Sequence, residues 1–317
     1  MSERRWRRAI GGFEEAGVLG ALLGLCLVFS LATDTFLGAD NLHQVARQAS
    51  YFGVMATGMV LVLTLGEVDL SVGSIMTLVN VVTAVALREG APAALAILTG
   101  LATGAACGLL NGALSVALRI PMILVTLGTM SVFRGLALVV SKATPISDFP
   151  RDTFLFDVLG GAFAGIHASV IVMVLLGISF HVLLHRTAFG RRVQAIGSNP
   201  QAAKFSGIRI PYHRMCVLTL SGLVSGVAGV LALAFLQSAD PRTGETYELF
   251  VIASAVIGGT ALTGGSGSIL GGILGALIIA VIRNGLVLLG ATAYWSPVVT
   301  GAMIIAAVAV DHFIKKR

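Results

Sequence analysis

The chain has 317 residues, of which 56% are hydrophobic and 11% charged, less than half the roughly 25% charged share of a soluble domain. That composition excludes a soluble globular protein and requires a polytopic membrane protein. The net charge of +6 does not point to nucleic acid, because the basic residues gather at the two ends of the chain and in one loop, as the positive-inside rule expects.

Arg4, Arg5, Arg7 and Arg8 precede an apolar stretch from about Ala16 to Thr33. No A-x-A site closes that stretch, so it reads as a first span and not as a signal peptide. A spanning helix needs about 20 mostly apolar residues. By that measure spans are expected near 16–33, 50–65, 71–87, 93–118, 121–141, 165–184, 215–236, 248–263, 268–289 and 293–311. Threading them from a cytoplasmic N-terminus places Arg119, the loop 185–214 and the C-terminal Lys315, Lys316 and Arg317 inside. The segments 142–164 and 237–247 then fall outside with Asp148, Asp152, Asp157, Asp240 and Glu245. The second and eighth stretches are short enough to be half-helices or re-entrant. The fold class is thus an all-α bundle of about ten transmembrane helices, forming one transmembrane domain over 1–317.

The first charged interruption is Leu65-Gly-Glu-Val-Asp-Leu-Ser71. Acids near membrane depth cost roughly 2.5–3.5 kcal/mol each on insertion scales, so Glu67 and Asp69 must face a wet cavity, cap a helix or pair with a cation. Asp69 precedes the helix expected to start near Ser71, which makes capping one reading; a place on a substrate route is the other. Arg134 and Arg283 lie inside apolar spans, and snorkelling, pairing with Glu67 or Asp69, and donation to a polar ligand are all open to them. A pathway for a sugar would need amides, hydroxyls and aromatics to match its hydroxyls, and Asn80, Asn111, Thr126, Thr129, Asn284 and Trp295 are candidates by residue type alone.

Small residues fill several spans, including 99–113 and 220–229. In lipid, close approach through Gly, Ala and Ser supplies the packing between helices. Gly258–Ser268 is glycine-dense, but no G-K-[ST] follows it, so it is expected to be an interruption between two short helices. Ser71-Val-Gly-Ser-Ile75 and Gly265-Ser-Gly-Ser-Ile269 look alike and are each followed by an Asn-Gly pair, as a transporter with internal repeats would show. His181 and His185 share a helix face but lack a third ligand. Cys26, Cys107 and Cys216 sit singly in apolar runs, as packed thiols do. No catalytic motif is present, so no enzymatic activity is expected.

Between His185 and Arg214 the apolar runs stop and six basic residues appear without an acid: Arg186, Arg191, Arg192, Lys204, Arg209 and Arg214. Within them Asn199–Ile208 reads as a short helix closed by Gly207. A membrane protein with a helix in its one substantial cytoplasmic loop is expected to present it to a soluble partner.

Taken together, these motifs resemble a known family. Gly66-Glu-Val-Asp-Leu-Ser-Val-Gly-Ser74 is similar to the G-G-I-D-L-S-V-G-S signature of permeases from ribose- and xylose-type ABC importers, with Glu67 where the second glycine stands. Arg119-Ile-Pro121, Thr126–Ser131 and Arg134-Gly135 resemble the next block; Thr187–Arg192, Ala195–Asn199 and Ala202–Ile208 resemble the cytoplasmic loop; and Val256–Thr260, Gly264–Ser268, Asn284–Leu286 and Tyr294-Trp295 resemble the C-terminal block. The resemblance runs the length of the chain in the right order.

It implies a bacterial inner-membrane subunit with both termini cytoplasmic. Its expected partners are a second permease copy or sister permease, a cytoplasmic ABC ATPase carrying ATP-Mg, a periplasmic sugar-binding protein and membrane lipid. No cofactor is expected in this chain. The loop resembles the E-A-A…G coupling helix, with Gln201 where the Glu often stands; Asn199, Gln201, Ala202, Ala203 and Gly207 are the expected coupling residues. Glu67, Asp69, Ser71, Asn80, Asn111, Thr126, Arg134 and Asn284 are the expected substrate-pathway residues. The implied function is monosaccharide import by alternating access. The residues leave three other readings open: an ion-coupled secondary transporter titrating Glu67 or Asp69, a membrane enzyme, and an ABC permease for a signalling molecule or branched-chain amino acid.

Overall fold

The structure, a computed structural model, describes residues 3–292, 295, 298, 299, 301–303 and 305, with side chains from residue 16 onward. The expected span 293–311 and the basic C-terminus lie largely or wholly outside the described residues. Eleven α-helices are found among the described residues: α1 (Glu3–Ala32), α2 (Ala39–Thr64), α3 (Val72–Arg88), α4 (Ala93–Leu118), α5 (Met122–Ser141), α6 (Ala168–Arg186), α7 (Ala188–Ser198), α8 (Pro200–Phe205), α9 (Ile210–Leu236), α10 (Tyr247–Ile257) and α11 (Ile269–Leu288). A π turn at Leu155–Leu159 and a two-residue hairpin, β1 (Ala162–Phe163) with β2 (Ile166–His167), interrupt the segment between α5 and α6. The protein is a multi-pass all-α membrane protein. By length and composition α4, α5, α6, α9 and α11 are full spans, and the apolar part of α1, α3 and α10 are shorter apolar helices.

Two of the short stretches resolve differently. The second is no half-helix: α2 has 26 residues, and its polar first half (Ala39–Gln48) escaped a hydropathy reading. From Phe52 to Leu65 its side chains are wholly or almost wholly buried, which makes α2 the central post of the bundle. The eighth is a half-helix, because α10 has 11 residues, about 16 Å of rise against a hydrocarbon core of about 30 Å. The segment 237–247 accounts for the shortfall. It pairs with the other acidic segment through an antiparallel bridge between Ile146 and Ala239. It then folds back until the Gly244 amide donates to Thr77 Oγ1 at 3.0 Å in the second turn of α3.

Backbone contact holds the long helices together, as small-residue packing in lipid requires. A Cβ at Gly108 of α4 would lie 2.1 Å from the Leu218 carbonyl oxygen of α9, and one at Gly222 would lie 2.3 Å from the Gly104 carbonyl oxygen. α10 and α11 meet in the same way at Gly258 and Gly271. The glycine-rich runs therefore mark two helix seams.

Candidate functional site

The signature break folds because its polar side chains replace the backbone bonds that α2 and α3 leave open. Asp69 is fully buried. Its Oδ1 accepts from the Ser71 amide at 2.9 Å and from Ser71 Oγ at 2.6 Å, closing an Asx turn that aims the chain into α3. Its Oδ2 accepts from Ser221 Oγ of α9 at 3.2 Å. Asn111 Nδ2 of α4 donates to Ser71 Oγ at 2.8 Å, and Thr126 Oγ1 of α5 accepts from the Leu70 amide at 3.2 Å. Four expected pathway residues, Asp69, Ser71, Asn111 and Thr126, thus form one buried network joining the break to α4, α5 and α9. An ionised carboxylate at such depth needs several donors, and Asp69 receives three. It meets that need with hydroxyls and an amide instead of capping the first turn of α3 directly.

Glu67 takes a cation, and the cation is neither Arg134 nor Arg283. Arg214, at the start of α9, donates through Nη2 to Glu67 Oε1 and through Nη1 to Ser115 Oγ at 3.4 Å. Both side chains of this pair are mostly buried, Glu67 at 17% exposure and Arg214 at 29%. Sequence reasoning listed Arg214 only as a loop charge. The signal that was there is its place as the last basic residue before an apolar span.

The remaining candidates stand apart from this network. Asn80 Nδ2 donates to the Gly229 carbonyl at 3.2 Å, pinning α3 to α9. Arg134 is half-buried on α5, with Nη2 lacking a hydrogen-bond partner, and Glu248 is its electrostatic neighbour. Asn284 Nδ2 donates to Asn41 Oδ1 at 2.7 Å. Thr129 bonds only within α5, to the Val125 carbonyl at 3.1 Å and the Thr126 carbonyl at 3.4 Å. His181 and His185 form an edge-to-face ring pair at 4.6 Å.

The loop between α6 and α9 is two helices, not one. Thr187 caps α7 by accepting from the Gly190 amide at 3.2 Å. Asn199 caps α8 by accepting from the Ala202 amide at 3.0 Å, with Pro200 opening the helix. Gly207, at φ +77°, ends α8: its amide bonds the Lys204 carbonyl at 3.0 Å and the Ile208 amide bonds the Ala203 carbonyl at 3.1 Å. This is the glycine-closed Schellman end. Ala203 points inward and is buried, while Gln201, Ala202 and Gly207 are exposed. Phe205, which sequence reasoning did not single out, is 90% exposed at the tip of α8. Beside it Arg192, Ser206–Arg209, Tyr212 and His213 line a groove of about 360 Å³.

This two-helix platform rests directly on the signature break. The Gly265 amide donates to the Thr64 carbonyl at 2.8 Å. A Cβ at Gly197 of α7 would lie 2.0 Å from the Thr64 carbonyl oxygen, and one at Gly264 would lie 2.8 Å from Gly66 Cα. Three backbone segments (64–67, 196–198 and 263–265) therefore meet without intervening side chains.

At the opposite end of the bundle a cavity of about 310 Å³ opens between α2, α9 and α11, lined by Gln44, Arg47, Gln48, Tyr51, Arg283 and Asn284 among others. Arg47 lies 3.5 Å over the Phe235 ring, and Arg283 lies 4.4 Å over that of Phe250. Of these lining residues only Arg283 and Asn284 were noted from the sequence. Gln44, Arg47 and Gln48 sit in the polar half of α2 that hydropathy left outside any span, and Tyr51 lies just inside the expected span 50–65.

Residues 41–308 match the family described as branched-chain amino acid transport system / permease component. The chain is 41% identical to the ribose import permease protein RbsC of Bacillus subtilis over 93% of this chain and 92% of that one. It is 39% identical to the probable ABC transporter permease protein YphD of Escherichia coli K12, over 96% of this chain and 91% of the relative. It is 36% identical to the D-allose transport system permease protein AlsC of the same strain, over 96% and 92%. No solved structure matches the chain.

Proposed function

The chain belongs to the family of ABC-importer permease components, which are not enzymes, and on that premise we propose that it carries a monosaccharide across the bacterial inner membrane. Relatives named for ribose and allose import, similar along almost their whole length, support a sugar as the cargo. The proposed unit is one permease domain of about ten spans with both termini in the cytoplasm, paired with a second copy or a sister permease. A cytoplasmic ATPase holding ATP-Mg drives it, and a periplasmic binding protein delivers the sugar.

The observation that carries the mechanism is the contact of α7 with the signature break. In this reading the ATPase grips α8 through Ala202, Phe205 and Gly207, and ATP binding draws the α7–α8 platforms of two permeases together. Because Gly197 touches Thr64 with no side chain between them, the movement reaches α2, α3 and, through Gly264 and Gly265, α11. The Asp69–Ser71–Asn111–Thr126–Ser221 network holds the break to α4, α5 and α9, so the helices tilt as a unit instead of the break unravelling. Selectivity resting mainly with the binding protein fits a path whose polar residues are largely occupied with one another.

The experiment is to tag the chain, purify it from native membranes in mild detergent and identify the subunits that stay bound. A stoichiometric ATPase is the expected result, and a chain that purifies alone yet moves sugar down an ion gradient in liposomes would overturn the reading.

A further inference from the structure

The cavity between α2, α9 and α11 has an unbalanced lining. Arg47 and Arg283 supply two guanidinium groups, Gln44, Gln48 and Asn284 three amides and Tyr51 a phenol, and no carboxylate lines it among the described residues. Neither arginine forms an ion pair among the described residues; those found join Arg88 to Glu89 and Arg214 to Glu67. Arg47 donates to Gln44 Oε1 at 3.1 Å. Arg283 Nη1, Tyr51 Oη and Asn284 Oδ1 are buried without hydrogen-bond partners.

A guanidinium held against aromatic faces with no counter-ion is costly, because its desolvation is not offset by an opposite charge. Its planar fork matches a carboxylate or a phosphate. The balance of donors points the same way. The hydroxyls of a neutral sugar can accept from arginine as well as donate, but they supply no charge to offset two guanidinium groups, and an oxyanion does. A ligand rich in acceptor oxygens satisfies this lining directly. The volume of about 310 Å³ is at the small end of the roughly 300–1,000 Å³ of small-molecule sites.

We propose that this cavity binds an oxyanion, a carboxylate or phosphate, on a molecule of monosaccharide size. If the importer reading holds, on which the identity of the occupant as cargo rests, the cargo is an acidic sugar or passes this site in competition with one. The phosphate of an anionic lipid headgroup offers the same chemistry, and the test separates the two sources.

The full-length protein is placed in nanodiscs of phosphatidylcholine, and binding of glucuronate and glucose is measured by calorimetry. Glucuronate binds about tenfold more tightly than glucose; Arg47→Gln and Arg283→Gln each remove that preference, and Arg47→Lys keeps much of it. Both arginines are half-buried, but only Arg283 has a buried Nη1 without a hydrogen-bond partner, so the Arg47 variants carry the test where those of Arg283 do not fold. A second measurement counts phosphatidylglycerol retained through purification. Retention by the wild type and not by Arg47→Gln, without glucuronate binding, supports the site and assigns it to a headgroup. Equal binding of the two sugars, or no glucuronate binding together with equal lipid retention by wild type and Arg47→Gln, overturns the proposal. In that case ATP-driven uptake of a neutral sugar would still leave the importer reading standing.

Discussion

Arg214, the last basic residue of the cytoplasmic-type loop, holds Glu67 of the signature break in an ion pair across 147 positions of sequence. The pair lies beside the place where α7 meets the break, so it ties the start of α9 to the corner that any movement of the α7–α8 platform must cross. Exposed pairs contribute up to about 1 kcal/mol, and breaking a fully buried one costs about 3–5 kcal/mol. At 17% and 29% exposure this pair falls between those limits.

Arg214→Gln is expected to lower the stability of the purified protein by about 2 kcal/mol, because it leaves Glu67 short of a cation in a mostly buried site. Glu67→Gln costs less, since Arg214 keeps its contact with Ser115. Thermal unfolding in detergent of the two single variants and the double variant checks this. A double variant as damaged as the sum of the singles would mean that the pair is not coupled.

Phe205 is the expected anchor of α8 in its soluble partner. At 90% exposure it contributes almost nothing to the permease's own packing, so Phe205→Ala leaves the melting temperature unchanged. Truncating an aromatic anchor at an interface typically costs about 2 kcal/mol or more, roughly a thirtyfold loss of ATPase affinity. Co-purification at rising dilution measures it, and undiminished retention of the ATPase would remove Phe205 from the interface.

Gly207 permits the φ of +77° that ends α8, a conformation costing a bulky residue about 1 kcal/mol or more. Gly207→Leu is expected to misplace the end of α8 and uncouple hydrolysis from uptake while the chain still reaches the membrane. Gly207→Asn, which tolerates the left-handed region, retains most coupling. Normal sugar-stimulated hydrolysis in the leucine variant would count against the role assigned to the loop.

The seam of α4 and α9 is closed by glycine. At Gly108 a methyl group would stand 2.1 Å from the Leu218 carbonyl oxygen, so the backbone must move to admit it. Gly108→Ala is expected to cost about 1–3 kcal/mol. Gly128 of α5, which has open space at its Cβ position, is the control, and Gly128→Ala leaves the melt unchanged.

Much of this arrangement was legible in the sequence because membrane insertion enforces simple rules. Apolar length located α3, α4, α5 and α11 within one residue at each end and fixed the C-terminal end of α9, whose start lies five residues before the expected one; Pro121 and Gly207 marked boundaries where backbone chemistry leaves little choice. α2 was cut short because its first turns carry Asp40, Gln44, Arg47 and Gln48, which a hydropathy window rejects but a cavity-lining helix tolerates. α7 went unread because its amphipathic pattern lies inside a stretch dominated by charge. Asp69, Ser71, Asn111 and Thr126 were singled out by residue type, but their connection was not legible: Ser221 is an ordinary residue in an apolar run, and only the fold brings Ser221 and Asn111 within 3.2 Å and 2.8 Å of their partners at the break. The pairing of Glu67 failed for the same reason, since the two intramembrane arginines were more conspicuous in sequence than the loop residue that reaches it.

The central claim is that movement enters through the α7–α8 platform and is powered by ATP. Its most direct test is sugar uptake into proteoliposomes holding the purified permease with its co-purifying ATPase and binding protein. Uptake is expected to require ATP inside the cytoplasmic-facing compartment and the binding protein on the other side, and to persist when proton and sodium gradients are collapsed. Uptake by the permease alone, without ATP and abolished by collapse of an ion gradient, would contradict the account.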